Sequence, residues 1–456
     1  MAKKKIKNGG AYVVTVDMGY GHQRAVQPLH DIAACPEGLK TDGCNLITAN
    51  TYPGIPSKDR RIWEGGRSLY EKISRAKRLP LVGPLLFGAM DRLQEIEPFY
   101  PNRDLSAPGM QTKQIYRMIR KGWGKDLIET LNKQPLPYIT SFFTTAFFAQ
   151  EHGYKGDIYC ICTDTDISRA WAPLEPKKSR IMYCAPNRRV KQRLMRYGVR
   201  KENIFVTGFP LPKENIGDRT NNTVLKESLG CRLSHLDPQG RYRTKYEKTI
   251  QQFLGIQYCK RELAHPLTIT FAVGGAGAQR EIGATIMNSL KAHIRKGEIR
   301  LNLVAGVRRD VYTFFKDAVK KCGLSHAPRA QVSIIYAESK NDYFLKFNEA
   351  LLTTDILWTK PSELSFYAGL GLPVIMAPTI GSQEEFNRAW LHSIGAGVEQ
   401  EDPRYTHEWL FDWLNSGWLA EAAMEGYLDA PRNGAYHIED LAIRGIKSEI
   451  EDMHLM

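Results

Sequence analysis

The chain has 456 residues, more than one hydrophobic core usually serves, so two domains are the default. Its 43% hydrophobic and 25% charged content exclude large-scale disorder, and its formal net charge of +14 points to an anionic partner, whether nucleic acid, a lipid surface or a phosphorylated substrate. The eight cysteines show no CxxC pairs or metal-ligand spacing, which excludes a disulfide framework and reads as thiols of a reducing compartment.

In chain order, the Lys-rich start "AKKKIK" has no apolar signal core. No uninterrupted apolar run approaches the ~20 residues that a spanning helix needs. The expectation is a cytoplasmic protein, with a peripheral place on an anionic membrane surface left open. "AYVVTV", Ala11 to Val16, reads as a buried strand. "DMGYGH" is a loop carrying Asp17, Gly19, Gly21 and His22, and Gln23 to Ala34 has helical spacing. Tyr70 to Leu93 breaks the alternation: Lys72, Arg75, Lys77 and Arg78 flank an apolar run, Leu79 to Met90, which Pro80, Gly83 and Pro84 interrupt. Such a segment suits docking on an anionic bilayer or holding a lipid-like acceptor, and equally an irregular core loop.

"DIYCICTD" (Asp157 to Asp164), "SRIMYC" (Ser179 to Cys184) and "NIFVTGFP" (Asn203 to Pro210) are strand-like and alternate with helical stretches, as a parallel sheet requires. The basic run Asn187 to Lys201 spreads its charges around a helix, as a solvated face or a binding site would. After Pro212 a polar, charged segment reads as linker and insertion. The strand-like runs then resume with "LTITFAV", "IRLNLVAG", "QVSIIYA", "ALLTTDILWT" and "LPVIMAP". From Tyr405 the chain is helical and aromatic, and its last helices are expected to cross back onto the first domain. The boundaries are therefore 1–212, a linker and insertion at 213–265, a second domain at 266–430 and a helical tail at 431–456.

"FAVGGAGAQREIGATIMNSL", Phe271 to Leu290, joins a strand to a helix through Gly274, Gly275, Ala276, Gly277 and Ala278. The first amides of a helix lack intrahelical partners and carry the positive end of its dipole, so a loop without side chains there lets a phosphate approach the backbone. Tight turning alone would also use such a loop.

Four stretches together resemble the GT-B glycosyltransferases, in particular the group holding monogalactosyldiacylglycerol synthases, diacylglycerol glucosyltransferases and the peptidoglycan N-acetylglucosaminyltransferase. They are "DMGYGHQRAVQPL", then "YCICTDTDISRAW" with "NIFVTGFPL", "FAVGGAGAQ", and "GLGLPVIMAPTIGSQEEFN". The resemblance implies an α/β protein of two Rossmann-like domains, with parallel sheets facing a central cleft. It implies a hexose moved from a UDP-sugar to an acceptor hydroxyl with inversion, the acceptor being lipid or membrane-associated in that group, without a cofactor. The donor would be held at Gly274 to Ala278, Glu363, Gln383, Glu384 and Asn387. The resemblance would make His22 an acceptor-activating base or a hydrogen bond to the transferred sugar or phosphate, with Asp17, Asp164 and Asp166 in reserve as the base, and would put Gly19, Gly21, Asp166 and Trp171 on the acceptor side.

The chain departs from the group in three places. Phe366 stands where relatives place a ribose-binding glutamate, and Glu363 lies one turn earlier. Ser168 replaces a histidine, and "TSFF", Thr140 to Phe143, replaces a "THP" strand end. "DTD", Asp164 to Asp166, is a literal DxD, but it falls where the resemblance places Thr-Asp, so no metal is expected there. The losses on the acceptor side keep a nucleotide-sugar epimerase or hydrolase of the same architecture as the alternative. No RRM, helix-turn-helix or finger signature supports nucleic-acid binding.

Overall fold

A computed structural model describes residues 10–37, 39, 45–76, 96–259, 265–272, 274, 277, 279–325, 331–379 and 381–447, apart from the side chains of 67–76 and 382. The chain divides into two compact units. The first comprises Met1–Pro210, Gly381–Gln383 and Asn433–Met456, and the second Leu211–Ile380 and Glu384–Arg432. Each holds a six-stranded sheet in which all neighbouring strands are parallel. These are two Rossmann-like α/β units, consistent with the GT-B architecture.

The first sheet consists of β1 (Tyr12–Thr15), β2 (Ile47–Thr48), β3 (Tyr138–Thr140), β4 (Ile158–Ile161), β5 (Met182–Ala185) and β6 (Ile204–Val206), in the order β2-β1-β3-β4-β5-β6. Val14 pairs with Ile47 on one side and Thr140 on the other. All four residues of β1 are buried, as expected of a parallel strand covered on both faces. The helix expected from Gln23 to Ala34 is shorter: it runs Gly21–Val26 and gives way to a 3-10 turn at Gln27–Leu29. Pro28 explains the break, since it has no N–H to continue the ladder and its ring crowds the preceding turn. Of the Tyr70 to Leu93 segment, residues 70–76 end the helix Ser57–Ala76 and the rest lies outside the described residues.

The basic run from Asn187 forms the helix Arg188–Arg196, capped by the Asn187 side chain, which accepts from the Val190 amide. It is neither a plain solvated face nor an open anion site. The guanidinium carbons of Arg189, Arg193 and Arg196 lie 3.8, 4.1 and 4.5 Å from the ring centre of Phe99. Arg193 is fully buried.

The second sheet consists of β7 (Leu267–Ala272), β8 (Ile299–Gly306), β9 (Val332–Tyr336), β10 (Ile356–Thr359), β11 (Val374–Met376) and β12 (Gly397–Glu399), in the order β12-β11-β10-β7-β8-β9. Phe271 pairs with Trp358 and Leu303. "ALLTTDILWT" enters the sheet only at Ile356, because Ala350 and Leu351 close the helix Lys340–Leu351. Its apolar residues Tyr343, Phe344, Phe347 and Leu351 are buried on one stripe, which carries the helix past the start expected for the strand.

Residues 213–259 are not a loose linker but a helical part of the second unit, with helices Lys213–Ile216, Thr223–Leu236 and Arg241–Leu254. Arg232, buried in the middle helix, donates to the carbonyls of Thr354 (2.9 Å), Leu370 (2.7 Å) and Gly371 (3.1 Å). Trp409 packs on Trp358 in the same unit, with ring centres 5.3 Å apart. The helix Gly434–Ile443 belongs to the first unit, where His437 Nδ1 lies 3.0 Å from the Thr207 carbonyl. Among the described residues no helix is long and apolar enough to cross a membrane.

Gly434 starts that helix against bare backbone. A Cβ there would stand 2.3 Å from the Phe209 carbonyl oxygen and 2.6 Å from that of Gly208, atoms that cannot swing away. Gly434→Ala is expected to cost about 1–3 kcal/mol and to expose the C-terminal helix to proteolysis before the rest of the chain. Denaturant unfolding and timed proteolysis check this, and a variant as stable and as resistant as wild type would refute the packing.

Candidate functional site

In an open parallel sheet, ligands gather beyond the carboxyl ends of the strands, at the point where the strand order reverses. In the second unit that point lies between β7 and β10, because the chain leaves β7 for β8 on one side and later returns as β10 on the other. The glycine loop follows β7. Of its five expected site residues, Gly274 and Gly277 are described, and Gly275, Ala276 and Ala278 lie outside the described residues. The Gly277 amide donates to the Gly274 carbonyl at 2.7 Å, closing a tight turn. Gln279 follows in the left-handed region, with φ 66°, and donates to the Pro378 carbonyl beyond β11 at 2.6 Å. The helix Arg280–Ser289 then begins.

Both described glycines lie against cations. A Cβ on Gly274 would meet Cε of Lys360 at 2.6 Å, so the lysine that follows β10 lies across the bare backbone. Its ammonium pairs with Glu384, in the first turn of the helix Ser382–Ser393. At Gly277, φ is +68°, and a Cβ would stand 2.8 Å from Val311 and 3.8 Å from the Arg308 guanidinium carbon. Arg308, beyond β8, holds Asp310 through two bonds of 2.9 and 3.0 Å, and Arg280 reaches the same carboxylate at 3.4 Å. The loops after β7, β8 and β10 thus bring Lys360, Arg308 and Arg280 together with two carboxylates around the glycines.

Of the other expected donor residues, Glu363 opens the 3-10 helix Glu363–Leu370 directly after β10 and is half-buried. Phe366 is buried, its ring centre 5.3 Å from that of Trp390. In a 3-10 helix i and i+3 share a face, displaced by ~6 Å, so Glu363 and Phe366 fall on one side of this helix. Gln383, Glu384 and Asn387 all fall on the helix Ser382–Ser393, with Asn387 1% exposed.

The first unit repeats the topology between β1 and β3. Asp17, Gly19, Gly21 and His22 follow β1, with Gly19 at φ 100° and Gly21 at the start of its helix. Asn50 clips this loop: it accepts from the Asp17 amide at 2.7 Å and donates to the Asp17 carbonyl at 3.2 Å. His22 Nδ1 lies 2.8 Å from the carbonyl of Ser141, just past β3, and Ser141 Oγ donates back to the His22 carbonyl at 2.7 Å. A carbonyl accepts only, so Nδ1 carries the proton and the lone pair of the neutral ring sits on Nε2. Phe142 meets the ring edge-on at 4.8 Å. Trp171 is buried, 6.5 Å from His22 and 5.2 Å from Phe143 between ring centres.

The two aspartates of "DTD" differ. Asp164 is half-buried in the loop after β4, whereas Asp166 is buried and bound. Arg193 grips it through Nε and Nη2, each at 2.8 Å, and Arg189 adds a bond of 3.0 Å. Burial works against the charge of Arg193, but its bonds to Asp166 prevail and raise its pKa. A carboxylate spent in this way does not serve a cation as DxD would. Burial also pushes the thiols of Cys160 and Cys162 well above the ordinary range, so both are inert.

Sequence reading missed Lys360, Arg308 and Ser141. Lys360 stands inside "TKPSEL", where nothing but the fold brings it over a glycine distant in sequence. Cys231 was also passed over, since the cysteines lack metal-ligand spacing among themselves, although its ligand atom and those of His235 and His265 lie within 4.8 Å of one another.

No family model matches the chain, and neither does any curated protein. Among solved structures it is similar to a putative UDP-N-acetylglucosamine 2-epimerase from Listeria monocytogenes, at 11% identity over 80% of this chain and 86% of that one, with a TM-score of 0.43. It is also similar to MurG from Acinetobacter baumannii, at 14% identity over 82% and 95% with a TM-score of 0.42. HepE from Anabaena in complex with UDP and glucose matches at 11% over 74% and 83%, with a TM-score of 0.40.

Asp166→Ala would leave the buried Arg193 charge without its main partner, a change that costs about 3–5 kcal/mol. Denaturant unfolding is the check, and a loss below about 1 kcal/mol would show that the pair does not hold the loop. Gly277→Ala forces a side chain into the left-handed region against Val311 and is expected to cost about 1–3 kcal/mol by the same measurement.

Proposed function

We propose that the chain is a UDP-sugar-dependent hexosyltransferase that needs no metal. The observation that carries this reading is the Gly274 to Gly277 turn at the reversal point of the second sheet, with Lys360 and Arg308 against its glycines. Backbone amides and a helix start, flanked by cations, match the charge of a diphosphate. The sequence resemblance specifies UDP and a hexose. Gly274 to Ala278 are assigned the diphosphate, Glu363 the ribose hydroxyls, and Gln383, Glu384 and Asn387 the sugar. An amide side chain both donates and accepts, as a sugar hydroxyl does.

His22 is assigned the acceptor. Its Nε2 takes the proton of the acceptor hydroxyl as the oxygen attacks the anomeric carbon, and the bond to the UDP oxygen breaks with inversion. The Nδ1 bond to the Ser141 carbonyl fixes the tautomer and orients the ring. The negative charge that develops on UDP falls to the amides, Lys360 and Arg308, where other enzymes use a cation. Asp17 and Asp164 are the reserve bases. Gly19, Gly21, Asp166 and Trp171 shape the acceptor side, Asp166 by way of Arg193. A lipid or membrane-associated acceptor suits the basic and apolar stretch from Tyr70 to Leu93.

A second reading, nucleotide-sugar epimerisation or hydrolysis, rests on the acceptor side. Ser168, which is buried, stands where the resemblance places a histidine, and "TSFF", Thr140 to Phe143, stands where it places "THP". UDP released without any added acceptor would favour it over transfer.

Thermal melts with UDP and UDP-sugars test the donor assignment. UDP at 100 times its dissociation constant should add about 2.7 kcal/mol to wild type. Lys360→Ala should need on the order of 10-fold more UDP for the same shift, the loss of about one charge-assisted bond. No shift with any nucleotide at millimolar concentration would refute the proposal. For the acceptor side, His22→Ala is expected to lower kcat by ~10²–10⁴ while the UDP shift stays intact. An unchanged kcat would remove His22 as the base.

A further inference from the structure

We infer that the second unit carries a structural zinc site, built by Cys231, His235, His265 and Asp355. The four donors come from three stretches of chain. Cys231 and His235 are at i and i+4 on the helix Thr223–Leu236, so they project from one face. His265 lies just before β7 and Asp355 just before β10, neighbouring strands of the sheet. Ligand atoms of the cysteine and the two histidines lie within 4.8 Å of one another, and Cys231 Sγ is 3.8 Å from His265 Nε2. Asp355 Oδ1 stands 3.2 Å from His235 Nδ1.

The surroundings set the tautomers that a metal needs. A ligating histidine donates its other N–H to a carbonyl or carboxylate, which fixes the ring. Here His265 Nδ1 lies 2.9 Å from the Pro266 carbonyl, which leaves Nε2 facing the thiol. His235 Nε2 lies 2.6 Å from the His265 carbonyl, which leaves Nδ1 toward Asp355. Asp355 is itself held, its Oδ2 accepting from the Thr268 amide at 2.8 Å. His235 Nδ1 thus faces a carboxylate already held in place.

One sulfur and two imidazole nitrogens lie together, and the Asp355 carboxylate beside His235 would supply the fourth donor of a set suited to Zn²⁺. All four positions are filled by protein, which is the pattern of a structural rather than a catalytic site. Its location agrees. His265 and Asp355 are at the amino ends of β7 and β10, whereas the glycine turn and Lys360 are at the carboxyl ends. The zinc ties the helix Thr223–Leu236 to the two central strands and takes no part in the transfer.

The test uses the full chain stripped with a chelator. Zn²⁺ titrated against a chromophoric competitor should bind at one equivalent and raise the melting temperature. Co²⁺ in its place should give the visible bands of a tetrahedral ion and a near-ultraviolet sulfur-to-cobalt band. Cys231→Ser should abolish the sulfur band, and His265→Ala should weaken Zn²⁺ binding by at least ~100-fold. Circular dichroism and the UDP-induced melting shift show that each variant is folded, independently of the metal. If a variant fails to fold, the wild-type cobalt spectrum decides alone. Sub-stoichiometric Zn²⁺, an octahedral cobalt spectrum, or a sulfur band that survives Cys231→Ser would each overturn the inference.

Discussion

The second unit depends on a gap that parallel topology creates and that only a residue without a side chain can use. β7 and β10 are adjacent and parallel, but the chain leaves them in opposite directions, so no crossover covers the space beyond their carboxyl ends. Gly274 stands at that opening, and the stem of Lys360 lies where its Cβ would be. The lysine is held in turn by Glu384, beyond β11. A single missing methyl group therefore sets the course of three loops. Replacing Gly274 need not unfold the sheet, because the atoms it would strike belong to a flexible side chain. It would move the cation.

The first unit solves the same topological problem with different chemistry. Its loop after β1 is tied to the exit of β3 by the reciprocal bonds between His22 and Ser141, and to the stretch after β2 by Asn50. The result is an oriented imidazole in place of a bare cradle. A site built on loops is only as exact as its anchors, and here the anchors, the carbonyl and hydroxyl of Ser141 and the side-chain amide of Asn50, sit within two residues of strand ends. The rings of Phe142 and Trp171 lie beside the imidazole, with Phe143 packed against both, which restricts the directions from which a partner can approach.

How far the sequence disclosed this follows the range of the forces involved. β1, β4, β7 and β8 were legible because buried parallel strands are continuous apolar runs, and the glycine loops because strand, bare turn and helix adjoin. Pro28 was visible too, yet the helical spacing of Gln23 to Ala34 hid its effect. β2 and β12 escaped because two or three residues carry no periodicity of their own, and they become strands only through their neighbours. Lys360 over Gly274, Asp166 under Arg193 and His265 beside Cys231 share one cause. Each joins residues far apart in sequence, and the lysine, the aspartate and the histidine are all side chains whose usual place is at the surface. Their role appears only once the sheet order is known. In the arginine-rich helix, charge count suggested a surface, whereas Phe99 and Asp166 draw Arg193 fully inside.

The same accounting bears on the donor site proposed at the glycine turn. Lys360, Arg308 and Arg280 face two carboxylates, Glu384 and Asp310, so the local balance is one positive charge in surplus before any ligand arrives. The two pairs at Asp310 are partly exposed, and such pairs are worth only about 0–1 kcal/mol each. Exchanging a carboxylate for a phosphate oxygen therefore costs little. The carboxylates meanwhile hold the cations in place, so a diphosphate bound there as proposed would meet side chains already ordered. Backbone amides at a helix start add fixed dipoles that need no reorganisation. In the first unit, by contrast, Arg193 is so deeply buried that its carboxylate cannot be exchanged, and that pair fixes the loop after β4 in place. Exposure thus separates the two kinds of ion pair in this chain: the shallow ones can trade partners with a ligand, and the deep one cannot.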